Sequence, residues 1–272
     1  MLFDLPHILY MIISVVVTAS ILVVAKFFIK KQKSKDLFLR IWAVLTVVIH
    51  FSSIYFDYYI GKIENPQLGL SLFIPAYACN VCMWLLMIVA FAKKRGTFIN
   101  LLSQFVAFGG IVCGIIGILV NENYGGFAAN HGGAHPMTNF EVVKGLLSHS
   151  TMLVGSLYLL VGGYVKARVK KTTLGVTVGL SILFVDGLLV NGLNRIFNMP
   201  DVNSMYLHGV PFDNMPWINT LTIGIAGVLV AFVVGMIAER ITLPKEQRWY
   251  YRARSVIEAE EVTDAEEMEE VK

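Results

Sequence analysis

Residues 8–25 read ILYMIISVVVTASILVVA and contain no charged side chain. An uncharged apolar run of about 18 residues is typical of a transmembrane helix. The nearest lysines begin at Lys26, after the run, whereas a signal peptide carries its positive charge before a shorter apolar segment. We therefore interpret this stretch as a first membrane span that remains part of the protein.

The same pattern recurs along the chain, which indicates a polytopic membrane protein. Hydrophobic residues make up 56% of the 272 residues and charged residues 15%, whereas soluble domains carry about 25% charged residues. The sequence predicts an all-α bundle of seven transmembrane helices. Their predicted ranges are 7–29, 40–60, 68–92, 98–120, 141–165, 174–197 and 217–238.

The basic residues predict the orientation of the bundle, because cytoplasmic connections are enriched in Lys and Arg. The first, third, fifth and seventh predicted helices all end on the same side of the membrane. All Lys and Arg residues except Lys62, Lys144 and Arg195 lie on that side. That side is therefore predicted to be cytoplasmic. The N-terminus is then outside and the C-terminus inside.

One membrane domain, residues 1–245, is predicted, followed by a cytoplasmic tail, residues 246–272. From Glu258 to Lys272 the tail has eight acidic residues and one basic residue, a composition typical of disorder. The rest of the chain is basic, which suits contact with anionic lipid headgroups. Membrane lipids are therefore the expected partners and nucleic acid is not; a bacterial inner membrane is the simplest location.

Polar side chains inside predicted spans are candidate functional residues, because burying them in lipid is costly. Depths counted at about 1.5 Å per residue place them from the midplane outward, with almost none in the inner half. This one-sided distribution predicts an outward-facing polar cavity, whereas a channel would need polar lining on both sides. The residues are His50, Asp57, Cys79, Asn80, His149, Asp186, Asn191, Asn194 and Arg195.

Each of these residues also has a structural interpretation, as a hydrogen-bonding or packing group of the bundle. Asp186 would then be paired with His50 or His149, because an unpaired buried carboxylate is costly. The thiols of Cys79 and Cys82 are too few for a zinc site and lack the fold context of a redox Cys-x-x-Cys motif. We expect no metal and no cofactor.

Three short segments carry a family resemblance. They are Ile74-Pro-Ala-Tyr-Ala-Cys79, Leu147-Ser-His149 and Asn203-Ser-Met-Tyr206-Leu207. They resemble, in the same order, the L-P-L-H-L-C, L-S-H and N-Y-M-Y-L motifs of the YwaF-type integral membrane family, which is related to the transmembrane protein 164 acyltransferases. Tyr77 stands where the family pattern has His, and His50 is the candidate substitute.

The resemblance implies a lipid-directed acyltransferase or hydrolase with Cys79 as nucleophile and His149 as base, and with Asn203 and Tyr206 in an outer-loop motif. A thiol activated by an imidazole is a sound nucleophile for an acyl ester. The amide of Asn80, Asn191 or Asn194 would stabilise the oxyanion. Two alternatives remain open: a binding or transport protein for a small polar solute, and a non-catalytic accessory membrane protein.

Overall fold

The computed structural model describes residues 3–59, 75–121, 124, 135–197, 203–209 and 215–253, and of residues 53–59 only the backbone. Within these ranges the fold is all-helical, and the predicted fold class is confirmed at that level. The long helices are α1 (Leu5–Phe28), α2 (Gln32–Tyr59), α3 (Ala78–Phe91), α4 (Thr97–Leu119), α5 (Phe140–Val161), α6 (Val169–Ile196) and α7 (Thr220–Thr242). Short 3-10 turns occupy Pro136–Thr138, Ser204–Tyr206 and Lys245–Gln247.

Four of the helices, α1, α4, α6 and α7, are long and apolar enough to cross a membrane. In α5 a polar run from Ser148 to Thr151 lowers the mean hydropathy, and α2 begins in a charged segment. The helical part of α3 has 14 residues, and residues 68–74 of the predicted third span lie outside the described residues. Seven spans therefore stay a prediction.

Several helix boundaries differ from the predicted ones; residues 75–77, predicted inside the third span, are not helical, and α7 ends at Thr242 rather than at 238. α2 begins at Gln32 and α6 at Val169, several residues before the predicted starts at 40 and 174. Hydropathy detects only the apolar part of a helix, whereas Lys and Gln favour the helix and extend it into polar sequence. α5 ends at Val161, before the predicted end at 165, because Gly163 adopts a φ of +82° that breaks the helix.

α4 and α5 cross closely and run in opposite directions. Gly110 of α4 lies against Ser156 of α5, and Gly117 lies against His149. A Cβ at position 110 would be 2.1 Å from Ser156 Oγ, and one at position 117 would be 2.0 Å from His149 Cδ2. Small residues are what allow membrane helices to approach so closely. The α4 glycines therefore determine where His149 lies.

α6 runs parallel to α4, and α7 runs antiparallel to α6. Gly175 and Gly179 of α6 lie against Gln104 and Phe105 of α4, in the same chain direction. At the other side of α6, Gly235 near the end of α7 lies against Val169, the first residue of α6. The four helices from α4 to α7 thus alternate in direction, as consecutive membrane spans would.

Basic residues of different elements meet at one end of the bundle. Lys35 Nζ donates to the Gly162 carbonyl at 3.1 Å, and Arg40 Nε donates to the Ala90 carbonyl at 3.3 Å. The Arg95 guanidinium lies 4.3 Å from the centre of the Tyr164 ring. This grouping supports the predicted cytoplasmic end, although the orientation itself stays a prediction.

Candidate functional site

Cys79 lies in the first turn of α3, two residues after Tyr77, the N-cap residue of that helix. Its Sγ donates to Oδ1 of the neighbouring Asn80 at 3.3 Å. The amide oxygen of Asn80 therefore orients the thiol, while the amide nitrogen is the group that could donate to an oxyanion. Tyr77, which replaces the family histidine, is 39% exposed.

The three cysteines of the chain converge between α3 and α4. Cys79 and Cys113 both pack against the core that contains Cys82, and Cys82 Sγ lies 3.5 Å from the position that a Cβ of Gly109, one turn before Cys113, would occupy. Cys82 is fully buried, and the other two are partly buried. The sequence does not predict this convergence, because it does not reveal the register between α3 and α4.

His149 is oriented by a carbonyl of its own helix. Its Nδ1 lies 2.7 Å from the Gly145 carbonyl oxygen, which can only accept a hydrogen bond. Nδ1 therefore carries the proton, and in the neutral ring Nε2 holds the free lone pair. Nε2 is directed toward Gly117, since a Cβ at that position would be 2.3 Å from it.

One face of α4 connects the thiols with His149. Cys113 and Gly117 are four residues apart on that helix and so lie on the same face, about 6 Å apart along the axis. Cys113 packs against the core that contains Cys82, and Gly117 contacts His149. The predicted nucleophile and base thus lie near the same face of α4. The hydrogen bond of Cys79 itself is to Asn80.

The Asn203–Leu207 turn packs beside the start of α3. Asn191 of α6 holds it with two hydrogen bonds, from its Nδ2 to the Ser204 carbonyl at 3.1 Å and from the Ser204 N–H to its Oδ1 at 2.8 Å. Ser204 Oγ donates to the Ala76 carbonyl at 2.7 Å. Asn191 is thus committed to the turn, and the prediction that it stabilises an oxyanion loses its support.

Backbone strain is concentrated in the same turn. Asn203, Met205 and Tyr206 have φ values of 42°, 53° and 54°, which non-glycine residues seldom adopt. Such conformations persist only where surrounding contacts impose them. Here Met205 packs into the core that contains Cys82, while Tyr206 is 42% exposed.

The TMEM164 family model matches residues 2–237, which include all three motif segments. The chain belongs to the TMEM164 family. No curated protein and no solved structure matches it. The family relation predicted from the three motifs is thus confirmed, and together with the four apolar helices it identifies a multi-pass membrane protein.

Two histidines and a lysine lie near each other in this TMEM164-family protein. His50 of α2 is within electrostatic range of Lys144 and His149 of α5. Lys144 forms an ion pair with Glu141 at 2.8 Å, and its side chain is only 11% exposed. The helices that carry His50 and His149, α2 and α5, pack against each other, which the predicted substitution by His50 requires. The side chain of Asp57 lies outside the described residues.

The predicted ion pair between Asp186 and a histidine is not present. Oδ2 of Asp186 is buried and has no hydrogen-bond partner among the described residues, and His149 is bonded to a backbone carbonyl. Nδ2 of Asn194, which is 4% exposed, also lacks a partner there. Arg195 is exposed, and its Nη2 lies 3.5 Å from His208 Nε2. No group of His, Cys, Asp and Glu in the described ranges could hold a metal ion.

Proposed function

We propose that this protein is a membrane-embedded, lipid-directed acyltransferase or hydrolase in which Cys79 is the nucleophile and His149 the base. The observation that carries the proposal is the shared face of α4. Cys79 and Cys113 of α4 pack against the same core, and the His149 ring contacts α4 one turn after Cys113, at Gly117. Membership of the TMEM164 family agrees with a membrane setting.

In the proposed reaction His149 Nε2 takes the proton of the Cys79 thiol, and the thiolate attacks the carbonyl carbon of a lipid ester. A C–S bond forms, the C–O bond breaks, and the leaving alkoxide takes the proton from the imidazolium. The thioester is then cleaved by water in a hydrolase or by an acceptor alcohol in an acyltransferase. The amide nitrogen of Asn80 donates to the oxyanion.

The tautomer of His149 supports this role. Because Nδ1 is held by the Gly145 carbonyl, the lone pair lies on Nε2, the nitrogen that would accept the thiol proton. In this structure Nε2 faces Gly117 of α4. The reaction therefore requires the ring to turn from Gly117 toward Cys79, and catalytic hydrogen bonds often form only once substrate is bound.

The test is acylation of the purified protein in phospholipid vesicles that carry a labelled acyl chain. A hydroxylamine-sensitive label on the wild-type protein is expected, with loss of at least ten-fold in Cys79→Ala and in His149→Asn. Cys113→Ala is the matched control, since Cys113 has no role in the proposed chemistry. Full labelling of Cys79→Ala would overturn the proposal.

A non-catalytic accessory protein is the second candidate, and the hydroxyl groups of α5 favour it. Ser148 Oγ donates to the Gly145 carbonyl, and Thr151 Oγ1 donates to the Leu147 and Ser148 carbonyls. Ser150 Oγ is bonded to Tyr10 and Ser14 of α1. Groups satisfied within the bundle are what a structural role requires. In that case His149→Asn would lower the thermal stability, and neither this variant nor the wild-type protein would be acylated.

A further inference from the structure

Three thiols, those of Cys79, Cys82 and Cys113, lie at the contact of α3 and α4, whereas the proposed reaction uses only Cys79. Cys82 is fully buried, and its Sγ lies against Gly109 of α4, one turn before Cys113. Cys79 lies three residues earlier on α3, and its thiol donates to Asn80. All three are free thiols. Cys82 and Cys113 thus lie at one helix contact but on different helices, and a disulfide between them would link α3 to α4.

The backbone around Cys82 allows a close approach of the two helices. Sγ of Cys82 lies 3.5 Å from the position that a Cβ of Gly109 would occupy, and Cys113 follows one turn later on the same face of α4. Packed helix axes are usually about 8–10 Å apart and Cα atoms lie about 2.3 Å from each axis, so facing Cα atoms can reach the separation of about 4.4–6.8 Å that a disulfide needs. A glycine at the contact removes the side chain that would keep α3 farther away.

We propose that Cys82 and Cys113 are a redox-active thiol pair that closes reversibly into a disulfide between α3 and α4. Closure breaks two S–H bonds, forms one S–S bond, and passes two electrons and two protons to an oxidant. With diamide the oxidant becomes the corresponding hydrazine. The inference rests on the packing of α3 against α4 and is independent of the proposed acyl chemistry.

Closure has a structural consequence for α3. Cys79 lies in the first turn of that helix, and Cys82 lies in the next. A covalent bond from Cys82 to α4 restricts the movement of this whole segment relative to the surface that carries Gly117. A membrane-permeant oxidant is needed, because Cys82 is not exposed to water.

The test counts free thiols in native membranes. The protein is treated with diamide, denatured, and labelled with a maleimide that adds a fixed mass to each thiol. We expect three labels on the untreated wild-type protein, one after diamide, and three again after a thiol reductant. Cys79→Ser should go from two labels to none, while Cys82→Ser and Cys113→Ser should keep both.

Retention of all three labels after diamide, or of both labels in oxidised Cys79→Ser, would overturn the pairing. A peptide containing residue 79 cross-linked to residue 113 would overturn it as well. A non-reducing gel separates this bond from links between molecules, because only the internal bond leaves a monomer. Mass spectrometry of the wild-type protein identifies the linked peptides even if a serine variant fails to fold.

Discussion

At the residue scale, a glycine positions the predicted base. His149 is held from two sides, by a hydrogen bond to Gly145 of its own helix and by contact with Gly117 of α4. The first contact determines which ring nitrogen carries the proton. The second determines where the other nitrogen is directed. Any side chain at position 117 must therefore displace the ring.

Gly117→Ala tests this contact. A Cβ there would be 2.0 Å from His149 Cδ2, so we expect a loss of stability of about 1–3 kcal/mol together with reduced acylation. Thermal unfolding in detergent measures the first effect and the labelling assay the second.

Gly192→Ala on α6 is the matched control, since nothing lies within 4 Å of its Cβ position. Alanine is the better helix former by about 1 kcal/mol, so this variant should be unchanged or slightly more stable. Equal behaviour of the two variants would contradict the packing of His149 on α4.

At the element scale, one buried carboxylate joins three segments at the end of α7. Glu239, which is 2% exposed, accepts from the Val169 N–H at 3.0 Å and from the Trp249 N–H at 2.5 Å. The first bond satisfies an N–H group at the start of α6, where a helix has no internal partner. The second ties the segment after α7 to the same point, where Trp249 packs on Phe232.

Glu239→Ala should therefore separate these segments. It leaves two N–H groups without an acceptor, and we expect a loss of about 2–5 kcal/mol. Limited proteolysis after residue 243, followed over time, measures release of the segment. Arg240→Gln is the control, because Arg240 is exposed and its neutralisation should leave the cleavage rate unchanged.

The connection between α5 and α6 gives a prediction about pH. Tyr164 lies beyond the end of α5, and its hydroxyl donates to Asp36 Oδ1 at 2.6 Å. Burial, and then the bond to Asp36, raise the pKa of Tyr164 above its usual value of 10.0. The folded state thus favours the neutral phenol, so this contribution to stability is present below about pH 10 and is lost as the pH rises further.

Tyr164→Phe removes that titration. We expect it to cost about 1 kcal/mol at pH 7, from the lost hydrogen bond, and less as the pH rises above 10. Unfolding temperatures at pH 7, 9 and 11 measure the difference. A gap between variant and wild type that stays constant over this range would show that Tyr164 does not titrate in this way.

At the scale of the whole molecule, the helix directions and the grouping of basic residues bear on which end of the bundle faces the cytoplasm. The contacts of Lys35, Arg40 and Arg95 lie at the end of the bundle where α5 ends. At the opposite end, His7 near the start of α1 is bonded to the Ile118 carbonyl near the end of α4. The end with Lys35, Arg40 and Arg95 is the one predicted to be cytoplasmic.

Reporter fusions test that orientation. A fluorescent protein fused after residue 272 should fold and fluoresce in the cytoplasm, and a phosphatase inserted in the 125–134 segment should be active only outside. The reverse insertion, a phosphatase between residues 93 and 96, is the control and should be inactive. Activity at both insertion sites would contradict the alternating topology.

Much of the fold was predictable because it follows from local chemistry. The apolar runs locate the helices that the structure shows, since residues in lipid must form their hydrogen bonds within the helix. Helix ends were less predictable, because α2 and α6 continue into polar residues that hydropathy excludes. The motif containing Cys79 and the motif containing His149 were recognisable, but each motif describes only its own segment.

Hydropathy, charge and three motifs were sufficient for an all-helical membrane protein of the TMEM164 family, because each reports on a short stretch of chain. The packing of distant helices decided the rest. It brought Cys79, Cys82 and Cys113 together, placed His149 on Gly117, engaged Asn191 with the Asn203–Leu207 turn, and left Asp186 without the histidine partner predicted for it. These outcomes depend on helix register, which is set by glycine contacts between segments that are far apart in sequence.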